Sequence, residues 1–134
     1  NHIGDVGAKA LASIPSLVEV YLDANMISDE GAAAFAKSGV MYLYIFDNRI
    51  GDKGAIELAK SHSLKSLFIG EEVGDEGALA LSRNRSIESL YIGRHIGDSG
   101  AAALALMQSL KSIDLSNNQI RNKGAFAMAN TTQI

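Results

Sequence analysis

Hydrophobic and small residues recur along the chain with a period of 23 or 24 positions. A segment rich in glycine and alanine, seen most clearly from Gly97 to Ala105, returns with few changes. Between these segments larger apolar residues are spaced as in Leu110, Ile113 and Leu115. A fixed period of this length predicts a solenoid, in which each repeat stacks on its neighbours. The second glycine of the small-residue segment marks the repeats at Gly7, Gly31, Gly54, Gly77, Gly100 and Gly124.

Each predicted helix begins with an aspartate or an asparagine. These side chains accept hydrogen bonds from the free N–H groups of a first helical turn, and a carboxylate also faces the positive end of the helix dipole. No His or second Asp is spaced to complete a metal site with them, so we interpret all six as N-terminal helix caps. The six residues are Asp5, Asp29, Asp52, Asp75, Asp98 and Asn122.

The strand segments place a row of aromatic side chains on an exposed face. Leu, Ile and Val, such as Leu43 and Ile45, already fill the inward positions, so the residues between them must point away from the core of a parallel sheet. Tyr42 and Phe46 flank the central row of this face on the second strand. The central row itself reads Tyr21, Tyr44, Phe68, Tyr91 and Asp114.

Two interpretations of the aromatic row are open, and both can be true. Stacked rings on neighbouring strands stabilise a sheet, whereas exposed tyrosines are typical anchors of a protein interface. All four tyrosines of the chain belong to this face, which favours the interface. Five parallel strands span only about 20 Å. We therefore expect the face to supply part of a standard interface of about 800 Å² per partner.

The loops that follow the strands predict an interrupted asparagine ladder. Asn25, Asn48 and Asn118 occupy the same position in their repeats. The spacing of Asn118 after Leu110, Ile113 and Leu115 resembles that of leucine-rich repeats, and the resemblance implies that such an asparagine turns inward and satisfies backbone groups where the strand bends. The two intervening loops are one residue shorter and have no asparagine; they read Gly70-Glu71-Glu72 and Gly93-Arg94-His95.

Aligning the two shortened loops brings opposite charges together. Glu71 then faces Arg94, and Glu72 faces His95. We interpret these as exposed ion pairs, worth about 0–1 kcal/mol each, and we assign Glu71 and Arg94 a contribution to partner specificity. A Glu–His pair in acid–base catalysis is the weaker alternative.

Composition removes several classes of function. The chain has 134 residues, a net charge of −3 and no cysteine, so it offers no predominantly basic character for nucleic acid and no thiolate for a metal. No apolar run reaches the roughly 18 residues of a membrane span. The three histidines fall on different parts of the repeat and do not converge. We expect no metal, no cofactor, no nucleic-acid or membrane partner and no catalytic activity.

The residues from Leu110 to Ile120 follow the pattern Leu-x-x-Leu-x-Leu-x-x-Asn-x-Ile, and the chain resembles the leucine-rich repeat proteins. The segments Gly7–Ala12 and Gly100–Ala105, placed on this period, resemble the GALA type of these repeats along essentially the whole chain. The resemblance implies an α/β solenoid with a curved parallel sheet on one face and helices on the other. GALA-type repeats occur in bacterial effectors delivered into host cells, some of which carry an F-box and engage the host ubiquitin ligase machinery.

The sequence thus predicts one leucine-rich repeat domain over residues 1–134, with about five full repeats and a partial repeat at each end. Because both ends fall within a repeat, we interpret the chain as a fragment of a longer protein. The expected function is a non-enzymatic module that binds another protein through the strand face, in the cytoplasm. The alternative is the substrate-recruiting segment of a larger effector, secreted into a host cell and acting in F-box-type ubiquitin ligase pathways. Self-association through the exposed aromatic row is a further possibility.

Overall fold

Helix and strand alternate along the chain with the period seen in the sequence. A computed structural model describes residues 1–129. Every helix starts at the residue that the sequence marks as its beginning. The elements are α1 (Asp5–Ala12), β1 (Glu19–Tyr21), α2 (Asp29–Ala36), β2 (Tyr42–Tyr44), α3 (Asp52–Leu58), β3 (Ser66–Ile69), α4 (Asp75–Ser82), β4 (Ser89–Ile92), α5 (Asp98–Ala105), β5 (Ser112–Asp114) and α6 (Asn122–Ala129).

The five strands form one parallel sheet in the order β1-β2-β3-β4-β5. Each strand pairs in register with the strand of the next repeat, so that Tyr21 lies beside Tyr44 and Phe68 beside Tyr91. Each helix likewise packs on the helix of the next repeat. This arrangement confirms the predicted α/β solenoid, whose layers are a parallel sheet and a row of helices.

The core lies between these two layers. Inward strand residues such as Leu43, Ile45 and Leu67 are completely buried, as are Phe35 of α2 and Leu81 of α4. Several large buried side chains from each inner repeat therefore meet those of the neighbouring repeats. The apolar contacts extend along the solenoid axis instead of gathering at one centre.

The helix-start aspartates do not cap their own helices, and this part of the prediction is wrong. Each is the first residue of its helix, and the preceding N-cap residue is a glycine or, in α2, Ser28. Asp52 Oδ1 instead accepts hydrogen bonds from the N–H groups of Gly74 (2.8 Å) and Gly77 (2.9 Å), both in the following repeat. Asp5, Asp29, Asp75 and Asp98 make the equivalent bonds, and Asn122 is likewise the first residue of α6 rather than its N-cap.

One carboxylate oxygen therefore serves the N-cap and third amides of the next helix, which a glycine N-cap leaves without a side-chain partner. This contact explains the conserved spacing between aspartate and glycine within the repeats. A Cβ atom added at Gly77 would lie 2.8 Å from Asp52 Oδ1 and 2.6 Å from Val73 Cγ1. Glycine is thus required at this position by the close approach of the preceding repeat.

We expect Gly77→Ala to destabilise the protein. Alanine favours a helix by about 1 kcal/mol over glycine, but the added methyl group must displace Asp52 or Val73, at a net loss of about 1–3 kcal/mol. Urea denaturation followed by circular dichroism measures the change. Gly39→Ala is the matched control, because no atom lies within 4 Å of its Cβ position, and we expect no loss of stability there. A Gly77→Ala protein as stable as the wild type would contradict this account of the glycines.

The same contacts predict how stability depends on pH. Backbone hydrogen bonds from Arg121 and Gly124 hold the pKa of Asp98 below its ordinary value of 3.8. Burial raises the pKa of Asp5, but hydrogen bonds from Ser28 and Gly31 outweigh it and the net shift is also downward. Because the folded state favours the carboxylate, this stabilisation is complete at neutral pH and is lost as the pH falls below about 4.

We expect Asp98→Asn to weaken that dependence, since the amide keeps an acceptor oxygen but does not titrate. The melting temperature of the wild type should fall steeply below about pH 4. The variant should be less stable at neutral pH and show a shallower fall in acid. A variant with the same acid slope as the wild type would show that Asp98 does not contribute.

Candidate functional site

The aromatic row of the sheet face is a continuous stack across four strands. The rings of Tyr21 and Tyr44 lie 4.5 Å apart and within 4° of parallel. Phe68 follows at 4.8 Å from Tyr44, tilted by 58°, and Tyr91 follows at 5.4 Å from Phe68. In-register parallel pairing sets these rings side by side, and each pair contributes about 0.5–1.5 kcal/mol beyond its buried area. The ring contacts therefore stabilise the pairing of neighbouring strands, which is the first of the two interpretations of the aromatic row.

Phe46 joins this stack from the neighbouring row, which the sequence interpretation did not foresee. Its ring packs edge-on against Tyr91, with 5.0 Å between centroids, although the two residues lie two strands apart. Cβ atoms added at Gly70 and Gly93 would come within 3.5 Å and 3.8 Å of the Phe46 ring. The ring therefore extends sideways over two glycine positions. The signal in the sequence was the pair of glycines that follows Phe46 in its row.

The stacked rings form a ridge on the sheet surface, and smaller residues flank it on both sides. Tyr21, at the first strand, is 66% exposed, whereas the inner rings are half-buried by one another. On one side these smaller residues are Gly70 and Gly93. On the other side lies an open trough of about 330 Å³. Its lining consists of the flanking Tyr42, Met41, the serines Ser66, Ser89 and Ser112, and the charged residues Lys65, Glu88 and Lys111.

The outward strand positions carry negative charge and no Lys, Arg or His. Their carboxylates are Glu19, Asp23 and Asp114. Asp23 Oδ1 accepts the Phe46 N–H at 2.8 Å, while hydrogen bonds from the Ser116 side chain and backbone lower the pKa of Asp114. The sheet face thus combines aromatic surface with acidic groups.

Arg94 stands at the edge of this face in a constrained conformation. Its φ is +95°, in the region that favours glycine. Its backbone N–H donates to Asn118 Oδ1 at 2.7 Å, its guanidinium lies 3.4 Å from Glu71 Oε1, and that group is 5.9 Å from the centroid of the Phe46 ring. The first contact holds the backbone, and the other two hold the side chain. The alignment of Glu71 with Arg94 is present as an ion pair.

Glu72 and His95 come from the same two loops but do not form a catalytic pair. Both are exposed, and no ion pair joins them in residues 1–129. Within these residues no group of three or more His, Asp and Glu side chains is placed to hold a metal ion.

The ladder asparagines tie successive repeats together. Asn48 Oδ1 accepts the Ile27 N–H at 3.0 Å, and its Nδ2 donates to Leu22 O at 2.9 Å and Ile45 O at 3.1 Å. Asn25 and Asn118 make corresponding bonds. In the first shortened loop a local bond from Val73 N–H to Gly70 O, at 3.4 Å, replaces the asparagine.

A second polar ladder, on the opposite edge of the sheet, was missed in the sequence. Ser63 Oγ donates to Val40 O at 2.9 Å, and Ser109 Oγ donates to Ile87 O at 2.6 Å. Buried Asn84 donates to Ala59 O and Ser61 O, both at 2.9 Å. The recurrence of serine at Ser63, Ser86 and Ser109, with the period of the repeat, was the available signal.

Tyr21 offers a direct check on the geometry of the face. Its hydroxyl donates to Glu19 Oε1 at 2.6 Å, and this bond to a carboxylate raises the pKa of Tyr21 to about 12. We expect Glu19→Gln to bring the pKa of Tyr21 down toward the ordinary value of about 10. Ultraviolet titration of tyrosinate absorbance measures the shift, with Tyr21→Phe to identify the signal. An unchanged high-pH titration in Glu19→Gln would exclude this hydrogen bond.

None of the helices in residues 1–129 is both long and apolar enough to cross a membrane. No curated protein matches the sequence significantly. The family model described as "Leucine Rich repeat" matches residues 1–12, 13–36, 40–59 and 107–129. The unmatched stretch 60–106 contains both shortened loops, where the ladder asparagine is absent. Because the model matches more than half of the chain and each repeat contributes one helix and one strand, the protein belongs to the leucine-rich repeat family.

Proposed function

We propose that the chain is a recognition module that binds another protein through the outward face of its parallel sheet. Leucine-rich repeats generally mediate protein–protein interactions. The observation that carries the proposal is the uncovered aromatic ridge, flanked by troughs and by carboxylates. Exposed aromatic side chains on a rigid support present large contact area at little cost in conformational entropy. The binding residues we assign are Tyr21, Tyr42, Tyr44, Phe46, Phe68, Tyr91, Asp114, Glu71 and Arg94.

The chemistry of the face favours a partner surface that carries Lys or Arg among apolar groups. Glu19, Asp23 and Asp114 supply negative charge without a compensating cation on the outward strand positions. Aromatic rings attract cations through their faces, and complementary potentials speed association and exclude wrong partners. Glu71 already balances Arg94, so the pair does not reverse this charge. A second copy of the chain would bring the same acidic face and is disfavoured.

The test compares two quadruple variants with equal numbers of serine substitutions. The first replaces the ridge at Tyr21, Tyr44, Phe68 and Tyr91. The control replaces four exposed apolar residues on or beside the helices, Val6, Leu79, Leu106 and Phe126. Circular dichroism establishes that both variants are folded. A protein captured from lysate is then purified, and its dissociation constant is measured for the wild type and both variants.

We expect the ridge variant to weaken binding at least about ten-fold, as loss of several interface anchors does, and the control to bind like the wild type. Binding should also weaken as salt is added, because opposite charges meet across the interface. Equal affinity for both variants would overturn the strand-face proposal. Salt-independent binding that still requires the ridge would overturn only the assignment of a basic partner.

A second candidate follows from the resemblance of the small-residue segments to GALA-type repeats. In this case we propose that the chain recruits substrates for a larger bacterial effector of the F-box type and is itself not catalytic. The Asp–Gly contact between repeats supports close helix stacking in such segments but says nothing of the pathway. The complete open reading frame tests this candidate. An F-box beside the repeats would support it, and a complete reading frame without one would remove it.

A further inference from the structure

Half of the 12 lysines and arginines of the chain lie on one edge of the solenoid. This edge consists of the loops that lead from each helix to the next strand. The overall charge of the chain is −3, so the basic edge contrasts with the rest of the molecule. Its six cations are Lys37, Lys60, Lys65, Arg83, Arg85 and Lys111.

Four of these cations line a groove between the third and fourth repeats. The groove has a volume of about 510 Å³ and no carboxylate in its lining. Lys60, Lys65, Arg83 and Arg85 surround it together with His62. Within residues 1–129 neither arginine forms an ion pair with a carboxylate of the chain.

Helix ends explain only part of this charge. A cation at a helix C-terminus is favoured by the helix dipole, and Arg83 is the C-cap of α4. Lys65 and Arg85 lie beyond the last turns of their helices, in the loops. Like charges gathered in one groove repel one another. Glu57 and Glu88 offset this repulsion at Lys60 and Lys65, so the charge without a carboxylate beside it is that of Arg83 and Arg85.

The buried polar groups at the floor of the groove already have hydrogen-bond partners within the protein. Asn84 is buried and spans the two repeats, donating to Ala59 O and Ser61 O while accepting the N–H groups of Ser86 and Ile87. Each buried polar side-chain atom of residues 1–129 has a hydrogen-bond partner. The groups left to meet a ligand are the exposed cations of the rim.

We propose that this groove binds an acidic peptide segment, rich in Asp or Glu, of a protein partner. The planar guanidinium groups of Arg83 and Arg85 are suited to bidentate pairing with carboxylates. Lys60 and Lys65 of the neighbouring repeat, which are paired with Glu57 and Glu88, complete the basic rim. None of the binding residues assigned to the sheet face lines the groove, and the proposal does not depend on the function of that face. The two surfaces adjoin at Lys65, which also lines the trough beside the aromatic ridge, so one partner can occupy both.

A peptide fits this groove better than a nucleic acid does. Single-stranded nucleic acids are held by basic tracks together with aromatic side chains that stack on bases, and no aromatic residue lines the groove. The basic track is also short. Glu57 neutralises Lys60 at 2.8 Å on one side, and Glu88 contacts Lys111 at 3.1 Å on the other.

The test uses a fluorescein-labelled octaglutamate peptide and fluorescence anisotropy, with a neutral Gly-Ser peptide for background. The groove variant carries Lys60→Gln, Arg83→Gln and Arg85→Gln. The matched control carries Arg49→Gln, Lys53→Gln and Lys123→Gln, three exposed cations on the opposite edge. Both variants change the net charge equally. Any difference between them therefore reports the position of the charge.

We expect the groove variant to bind the acidic peptide at least about ten-fold more weakly than the wild type, and the control to differ by less than about three-fold. If the triple groove variant is not folded by circular dichroism, Arg85→Gln replaces it, because Arg85 is an exposed loop residue; its expected loss is about three-fold.

Equal losses in both variants would show attraction by net charge alone and would overturn the groove. Absence of saturable binding to the wild type at low salt would overturn it as well. Tighter groove-dependent binding of an oligothymidylate of the same charge would replace the acidic peptide with a nucleic acid as the ligand.

Discussion

The structure depends on one contact that each repeat makes with the next. A helix-start carboxylate accepts two amides at the beginning of the following helix, as Asp52 does from Gly74 and Gly77. Charge-assisted bonds of this kind are among the stronger hydrogen bonds in proteins. They reach the helix end where free amides and the positive end of the dipole coincide. Because the next helix lacks a side-chain cap of its own when its N-cap is glycine, its start is completed only by stacking. Capping and repeat association are thus the same interaction.

The regular geometry of the sheet follows from this contact together with the core and the asparagine ladder. The contact fixes the spacing of the helices, while the buried leucines and isoleucines and the asparagine ladder fix the strands in register. Once the strands are in register, equivalent residues of successive repeats must lie side by side, and a tyrosine or phenylalanine in four of them must form a stack. The ridge on the sheet face follows from repetition. The Phe46 ring, which extends over two glycine positions of the following repeats, is the feature that repetition does not explain.

Periodicity was sufficient to predict the fold, the strand register and the row of exposed rings, because these properties depend on which residues share a position in the repeat. It could not say which helix an aspartate serves. A carboxylate at a helix start has the same sequence signature whether it caps its own helix or the next one, and only the distance between neighbouring helices decides. The path of the Phe46 ring over Gly70 and Gly93 depends on side-chain packing across two strands. The left-handed backbone of Arg94 recurs at the same loop position in Ala24, Asp47 and Asn117, but the placement of its guanidinium beside the Phe46 ring again depends on packing across strands. Neither side-chain placement follows from a local sequence rule.

The charged residues are distributed over two surfaces of opposite character, which the net charge of the chain does not reveal. The net charge of −3 is a sum over a sheet face, whose charged groups at the outward positions are all carboxylates, and an edge that holds half of the cations. A solenoid makes this possible because each position of the repeat generates its own row, so a row can become acidic, aromatic or basic without changing the core. The specificity of such a protein is then determined by which rows of residues its partner contacts. A partner that presents cations to the ridge and carboxylates to the groove would meet both surfaces where Lys65 joins them, with complementary charge at each.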